Sequence, residues 1–390
     1  MNGYGLHGKE GSRNGIVLNE VKITGNVCGE YAEFSIHQSY SNDGEENING
    51  FFAFPVPEDS VLSGIEIDLG GRHIVGKVED KAEALKLCEH GEKNNEEVFV
   101  IEDILNKGYR IGLGEILPGE NLSISVSYIE ELAYSKGNLR LVVPALTKIE
   151  QEELCDASMN ILIETLNYSD FISKTHKINI EREDNLAKIT LSEDKININD
   201  EFVLNIIEEE DSEISGVIFE NSKDDTSLIY LRLIPETEVP KALIEDLNID
   251  WGKMQLEKTY PRTIEYMYGN EPFTVFAKIK GEVEPTIRVS GFIEEKRFQR
   301  MVTLGNFSLA ENELLLQKVW YKKRIDSLEK RFMNQEESIR ESMRKKIKSI
   351  SKETGILSTE TSLVLYEEFE EPVLGGVIKR ILPIKYINKD

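Results

Sequence analysis

YAEFSIHQSY at residues 31–40 and NLSISVSY at 121–128 place apolar or aromatic side chains at alternate positions, with Ser, Glu and His between them. A period of two puts one set of side chains on each face of an extended chain, so both segments read as strands with one face buried. The same grammar fills residues 15–149, where short alternating runs are broken by turn residues. Gly70-Gly71 and Pro118-Gly119 supply tight hairpin turns. Pro55 and Pro57 suit a sheet edge, where a missing N–H is tolerated. Asp80 with Glu83 reads as a capping pair, followed by Val78, Ala82, Leu85 and Cys88 on one helical face, so a short helix is expected to cross the sheet.

Strand grammar continues through 152–235 in SMNILIETL, THKINIER, LAKITL, EFVLNII and DTSLIYLRLI. A Pro-containing segment at 236–252 interrupts it, and further strands follow around 273–281 and 285–305. In 313–352 the apolar positions Ile325, Leu328, Phe332, Ile339, Met343, Ile347 and Ile350 are spaced by 3, 4, 7, 4, 4 and 3. That spacing predicts one long amphipathic helix, about 60 Å if unbroken. The expected fold is mainly β (α+β): an antiparallel β-sandwich plus a second β-rich region and the long helix. The expected divisions are a flexible lead-in (1–14), the sandwich (15–150), the second β region (151–312), the helix (313–352) and a strand with tail (353–390).

Composition narrows the function classes. A net charge of −25 argues against nucleic acid as a partner, because phosphates are repelled over the whole surface. The charge is uneven: residues 317–352 hold twelve Lys or Arg against five Asp or Glu, leaving −32 on the rest of the chain. Three scattered cysteines, with no CxxC spacing, suggest neither a disulfide framework nor a zinc site and fit a cytoplasmic protein. The polar, Gly-rich start has no secretory core, and the longest apolar runs are strand-sized.

Several elements together resemble the VIT (vault protein inter-alpha-trypsin) module. They are Gln38 and Asn42 in HQSYSN, the run Phe54-Pro55-Val56-Pro57-Glu58, Gly71, Arg72 and Gly76 in IEIDLGGRHIVGKV, Ala82 and Ala84, then Gly114, Pro118, Gly119, Tyr128 and Glu131. The resemblance implies a β-sandwich that is normally followed by a von Willebrand factor type A domain with an Asp-x-Ser-x-Ser metal motif. That domain is expected to be missing at a joint near 235–246. DLNIDWGK at 246–253, YPRTIEYMYGNEP with Pro261, Gly269 and Pro272, IRVSG, WYKKRIDSL and STETSLVLYEE resemble the family's C-terminal region.

Candidate chemistry is sparse. Asp156-Ala157-Ser158-Met159-Asn160 echoes a metal motif but ends in Asn and reads as a strand. His7, His37, His73, His90 and His176 lie in no HxxxH or nucleophile-base pattern. Cys88-Glu89-His90 reads as a helix end rather than a ligand set. The acid run Glu208-Glu209-Glu210-Asp211 reads as a solvated turn. The paired glycines lack a phosphate-loop context. No catalytic residue, cofactor or metal ligand is assigned.

The candidate interaction surface is the basic cluster Arg344, Lys345, Lys346 and Lys348. It can pack on the acidic body or on another copy, bind an acidic protein, or lie on an anionic membrane, in decreasing order of expectation. The sequence thus points to a non-catalytic protein-protein interaction or scaffolding protein. A separate type A domain protein is one candidate partner. The alternatives are a hydrolase or transferase with a carboxylate-based site, and a small-ligand or metal-binding protein.

Overall fold

Alternation becomes register in Tyr31–Asn42, which pairs antiparallel with Ile16–Cys28 on one side and Asn121–Glu131 on the other. Ala32, Phe34, Ile36 and Tyr40 fall on its buried face, as a period of two requires. The computed structural model describes residues 4–8, 15–57, 60–86, 96–98, 102–103, 108–146, 154–164, 168–197, 199–208, 214–221, 225–235, 237, 242–264, 266–293, 295–306, 310–333, 335–373, 376–383 and 385–387.

The largest sheet has 11 strands. Its path is Ile178–Glu183, Leu186–Leu191, Leu154–Glu164, Ile16–Cys28, Tyr31–Asn42, Asn121–Glu131, Val61–Leu69, Arg72–Asp80, Thr361–Val373 and Gly376–Pro383, with Lys195–Asn197 also on Leu154–Glu164. Two smaller sheets complete the first unit. One contains Gly5–Gly8, Ile48–Phe54 and Tyr109–Ile116; the other contains Asn138–Val143, Phe202–Glu208 and Tyr168–Ser173. Phe34, Ile124, Phe52, Ile111, Leu141 and Leu204 from all three sheets share one core, so burial across facing sheets holds the expected sandwich together.

Core packing corrects the expected boundary at 150. Met159, Ile161, Ile163, Phe171, Ile189 and Phe202 belong to the first core, and Leu154–Glu164 joins its sheet parallel to Ile16–Cys28. The expected lead-in is also partly ordered, since Gly5–Gly8 pairs with Ile48–Phe54 and buries Leu6 and His7. At the other margin Thr361–Val373 pairs with Arg72–Asp80, and Leu363 and Leu365 enter the same core.

The second unit is an eight-stranded sheet running from Gln255–Tyr260 at one edge to Tyr266–Tyr268 at the other. Ile229, Leu231, Leu233, Ile244, Met267, Val275, Ile287 and Val302 form its core. Thr226–Leu233 is buried along its whole length. Its odd positions face this core, while Leu228 and Tyr230 pack with Tyr31 of the first unit and Leu316, Val319 and Trp320 of the first helix.

Two helices, α1 (Ala310–Phe332) and α2 (Glu337–Thr354), replace the single long helix expected from the sequence. The break falls in the seven-residue gap between Phe332 and Ile339, where the polar Gln335 and Glu336 carry no apolar stripe. The chain doubles back, so Ile325 and Leu328 of α1 meet Met343, Ile347 and Ile350 of α2. Gly355 ends α2 in a left-handed conformation, its N–H donating to Ser351 O at 2.9 Å. Replacing Ile347 with alanine is expected to cost about 2–4 kcal/mol, read as a lowered midpoint of urea unfolding.

The short helix is present as a turn over 81–86, capped by Asp80 Oδ1, which accepts from the Ala82 N–H at 2.9 Å. Its buried residue is Ala84, while Leu85 is exposed, so the expected face is rotated. Cys88, Glu89 and His90 lie outside the described residues.

Candidate interaction site

Thr226–Leu233 places one cation in an otherwise apolar and hydroxylic run, and burial decides what must surround it. Arg232 is 1% exposed and Glu30 3%. A buried guanidinium is tolerated only with carboxylates and hydrogen bonds around it. Arg232 Nε donates to Glu30 Oε1 and its Nη2 to Glu208 Oε1. Tyr230 OH donates to Glu30 Oε2 at 2.6 Å, Tyr134 OH to Glu208 Oε2 at 3.0 Å, and Tyr168 OH to Gly29 O at 3.0 Å. Burial works against the cation, yet Glu30, Tyr168, Glu208 and Tyr230 push the Arg232 pKa above the usual guanidinium value. Glu30 and Glu208 come from the first unit and Arg232 from the second, so this cluster clasps the two units together. Glu208 is therefore not part of a solvated turn; Glu209, Glu210 and Asp211 lie outside the described residues.

Beside the clasp opens a cleft of about 1130 Å³ where both units and α1 meet. Its walls combine Tyr31, Ile129, Tyr260 and Val319 with Arg262 and Arg331. Lys323 reaches Glu131 at 2.9 Å and lies 5.3 Å from the Tyr31 ring centroid. Glu130, also on the wall, is 7% exposed, and its Oε1 has no hydrogen-bond partner. Burial alone pushes its carboxyl from 4.5 up to about 8. Glu30, Glu131, Glu271 and Asp326 also line it, so the cleft offers apolar anchoring and side chains of both charges.

The four residues singled out from sequence do not act as one surface. Arg344 pairs with Glu341 at 3.2 Å and Glu360 at 3.3 Å, and Lys348 with Asp80 at 2.6 Å. Lys345 reaches Glu341 at 3.6 Å. Lys346 is exposed, in none of these pairs, and its charge helps lower the Lys258 pKa. With Lys318–Glu33, Lys323–Glu131 and Lys352–Glu79, five of the twelve basic residues of 317–352 are matched to described acids outside the helices.

Asp156, Ser158 and Asn160 lie on the exposed face of one strand, with Asp156 3.2 Å from Lys195. Among the described residues no group of three or more His, Cys, Asp or Glu is placed to hold a metal ion. The joint is partly outside the described residues. Asn270 holds its near side, accepting from the Thr237 N–H at 3.1 Å and donating to Thr237 O at 2.9 Å.

Residues 18–128 match the family model of the vault protein inter-alpha-trypsin domain. Protein mono-ADP-ribosyltransferase PARP4 of Mus musculus is 22% identical over 159 residues, covering 40% of this chain and 8% of that protein. The von Willebrand factor A domain-containing protein 5A of Homo sapiens is 27% identical over 137 residues, covering 34% and 17% respectively. The chain thus spans under a fifth of the length of these curated relatives. An M1 zinc metallopeptidase from Deinococcus radiodurans overlays with a TM-score of 0.28 at 6% identity, covering 55% of this chain and 46% of that one. A likeness that low carries no argument about fold or chemistry.

Proposed function

The chain carries a vault protein inter-alpha-trypsin domain at residues 18–128, and from that premise we propose that it is a non-catalytic protein-interaction scaffold. The observation that carries the reading is the fastening of two β units and a helical hairpin around one open cleft. The Glu30–Arg232–Glu208 cluster and the α1 contacts resist relative movement of the units, and the strand Thr361–Val373 after the helical hairpin returns the chain to the first unit. A rigid frame of this kind presents a fixed surface to a partner at little ordering cost.

The partner is a protein, and a separate von Willebrand type A domain protein docking near 235–246 is the specific candidate. Support comes from relatives such as the human protein above, which is named for that domain. The setting is cytoplasmic, in keeping with the buried free thiols of Cys28 and Cys155. The second reading, a carboxylate-based hydrolase or transferase, draws on Glu130 in the cleft wall.

Affinity capture of the tagged chain from its native lysate, with and without a divalent-metal chelator, tests the proposal. A stoichiometric partner that re-forms the complex from purified components is expected. Chelator-sensitive recovery of a type A domain protein would support the specific candidate. Absence of any partner under both conditions would sink the scaffold reading.

A further inference from the structure

Five cations stand apart from the matching described above. Lys258 lies on the edge strand Gln255–Tyr260, Arg262 in the turn after it, Arg324 and Arg331 on α1, and Lys346 on α2. In a chain with 71 acidic residues against 46 basic ones, none of the five forms an ion pair with a described carboxylate. Their neighbours Lys318, Lys322, Lys323, Arg344, Lys348 and Lys352 do, while Lys330, beside Arg331 on the cleft wall, forms none with a described carboxylate. Arg324 Nε is shut off from solvent and donates to nothing. Burial lowers the Lys258 pKa, and Arg324, Arg262, Lys346 and Arg331 lower it further, so the four bear on Lys258. Like charges gathered this way oppose folding and attract an anion.

We propose that this cationic face binds a short acidic segment of a partner protein, laid in extended form from the open edge of Gln255–Tyr260 into the adjoining cleft. This rests on the interaction reading above and names where the partner binds and with what chemistry.

Three features select that occupant. Gln255–Tyr260 is the terminal strand of its sheet, with no strand paired on its outer side among the described residues, and Tyr260 at its end packs on Trp320 of α1. Arg262 and Arg331 belong both to the cationic set and to the cleft wall, where Tyr260, Val319 and Ile129 give apolar anchoring between charges. The cleft, at about 1130 Å³, is larger than a small anion requires. A membrane plane or a long polyphosphate would overrun the patch onto a body that makes the whole chain −25, while a short segment ends within it.

The test measures fluorescence anisotropy of labelled oligoglutamate with the full chain, at low and high salt. Binding that weakens with salt is expected. The variant Arg262→Glu/Arg331→Glu/Lys346→Glu should weaken it by about tenfold or more, three rim charges together reaching that size. Lys177→Glu/Lys188→Glu/Lys195→Glu, with the same change of net charge on exposed strands of the first unit, should leave it unchanged. The Tm of the first variant should hold or rise, since the reversals relieve repulsion. Should its Tm fall instead, Arg262→Gln/Arg331→Gln gives the affinity readout.

Equal losses in both variants, no loss in the first, or tighter binding to phosphatidylserine vesicles than to oligoglutamate would each overturn the proposal. Partner capture separates it from the reading on which it rests. If wild type and the first variant capture the same partner, the scaffold stands and the patch is wrong; if neither captures one, the scaffold itself fails.

Discussion

Arg232→Met should lower the stability of the chain by about 3–5 kcal/mol, the loss expected when one partner of a buried ionic cluster is removed. Glu30 and Glu208 would be left buried without their cation, and the hydroxyls of Tyr230 and Tyr134 donate only one hydrogen bond to each. The triple variant Arg232→Met/Glu30→Gln/Glu208→Gln should recover most of the loss, since a neutral cluster carries no unmatched charge. Urea unfolding followed by circular dichroism reads both. A change under about 1 kcal/mol in the single variant would mean that the units are held by apolar packing, not by the clasp.

Glu130 should make the protein less stable as pH rises. Its carboxyl is raised from 4.5 to about 8 in the folded chain, so the native state holds a proton that the unfolded state releases. The contribution is fully present below about pH 4.5 and is lost as pH rises through about 8. Glu130→Gln removes the group that must ionise. The variant should therefore match wild type near pH 4 and exceed it near pH 9 by up to about 5 kcal/mol, from the pKa difference and the energy per unit. Thermal midpoints across that range check it, and parallel curves for the two proteins would refute it.

The β architecture was legible where one face is buried. In Tyr31–Asn42 and Asn121–Glu131 the alternation of the sequence is the alternation of burial. Gly70 and Gly71, with φ of 56° and 80°, make the hairpin turn that their sequence announced. The helix break was also written in the spacing, as the seven-residue gap before Ile339, but a gap of two turns keeps the phase of a continuous helix. The domain boundary was hidden because a strand pattern does not state which core it joins.

The clasp was harder to see. Glu208 sits at the head of an acidic run that looks solvated, and its partner Arg232 lies 24 positions away. The usable signal was the lone arginine within TSLIYLRL at 226–233, because a cation in a fully buried strand demands carboxylates from elsewhere. The cationic face likewise comes from three elements far apart in sequence. Counting charge along 317–352 found the basic helices but not which of their residues the acidic body had already matched.

The returning strand Thr361–Val373 has a consequence for how the molecule is made. Arg72, whose guanidinium holds Glu367, is 295 positions from it, an interval of about 15–60 s at ribosomal speeds. Throughout that interval the edge of Arg72–Asp80 is an open template, able to recruit a strand from a neighbouring nascent chain. Polysomes carrying this message therefore crowd unfinished copies that share the same unclosed edge. Closing that edge waits until Thr361–Val373 has left the ribosome.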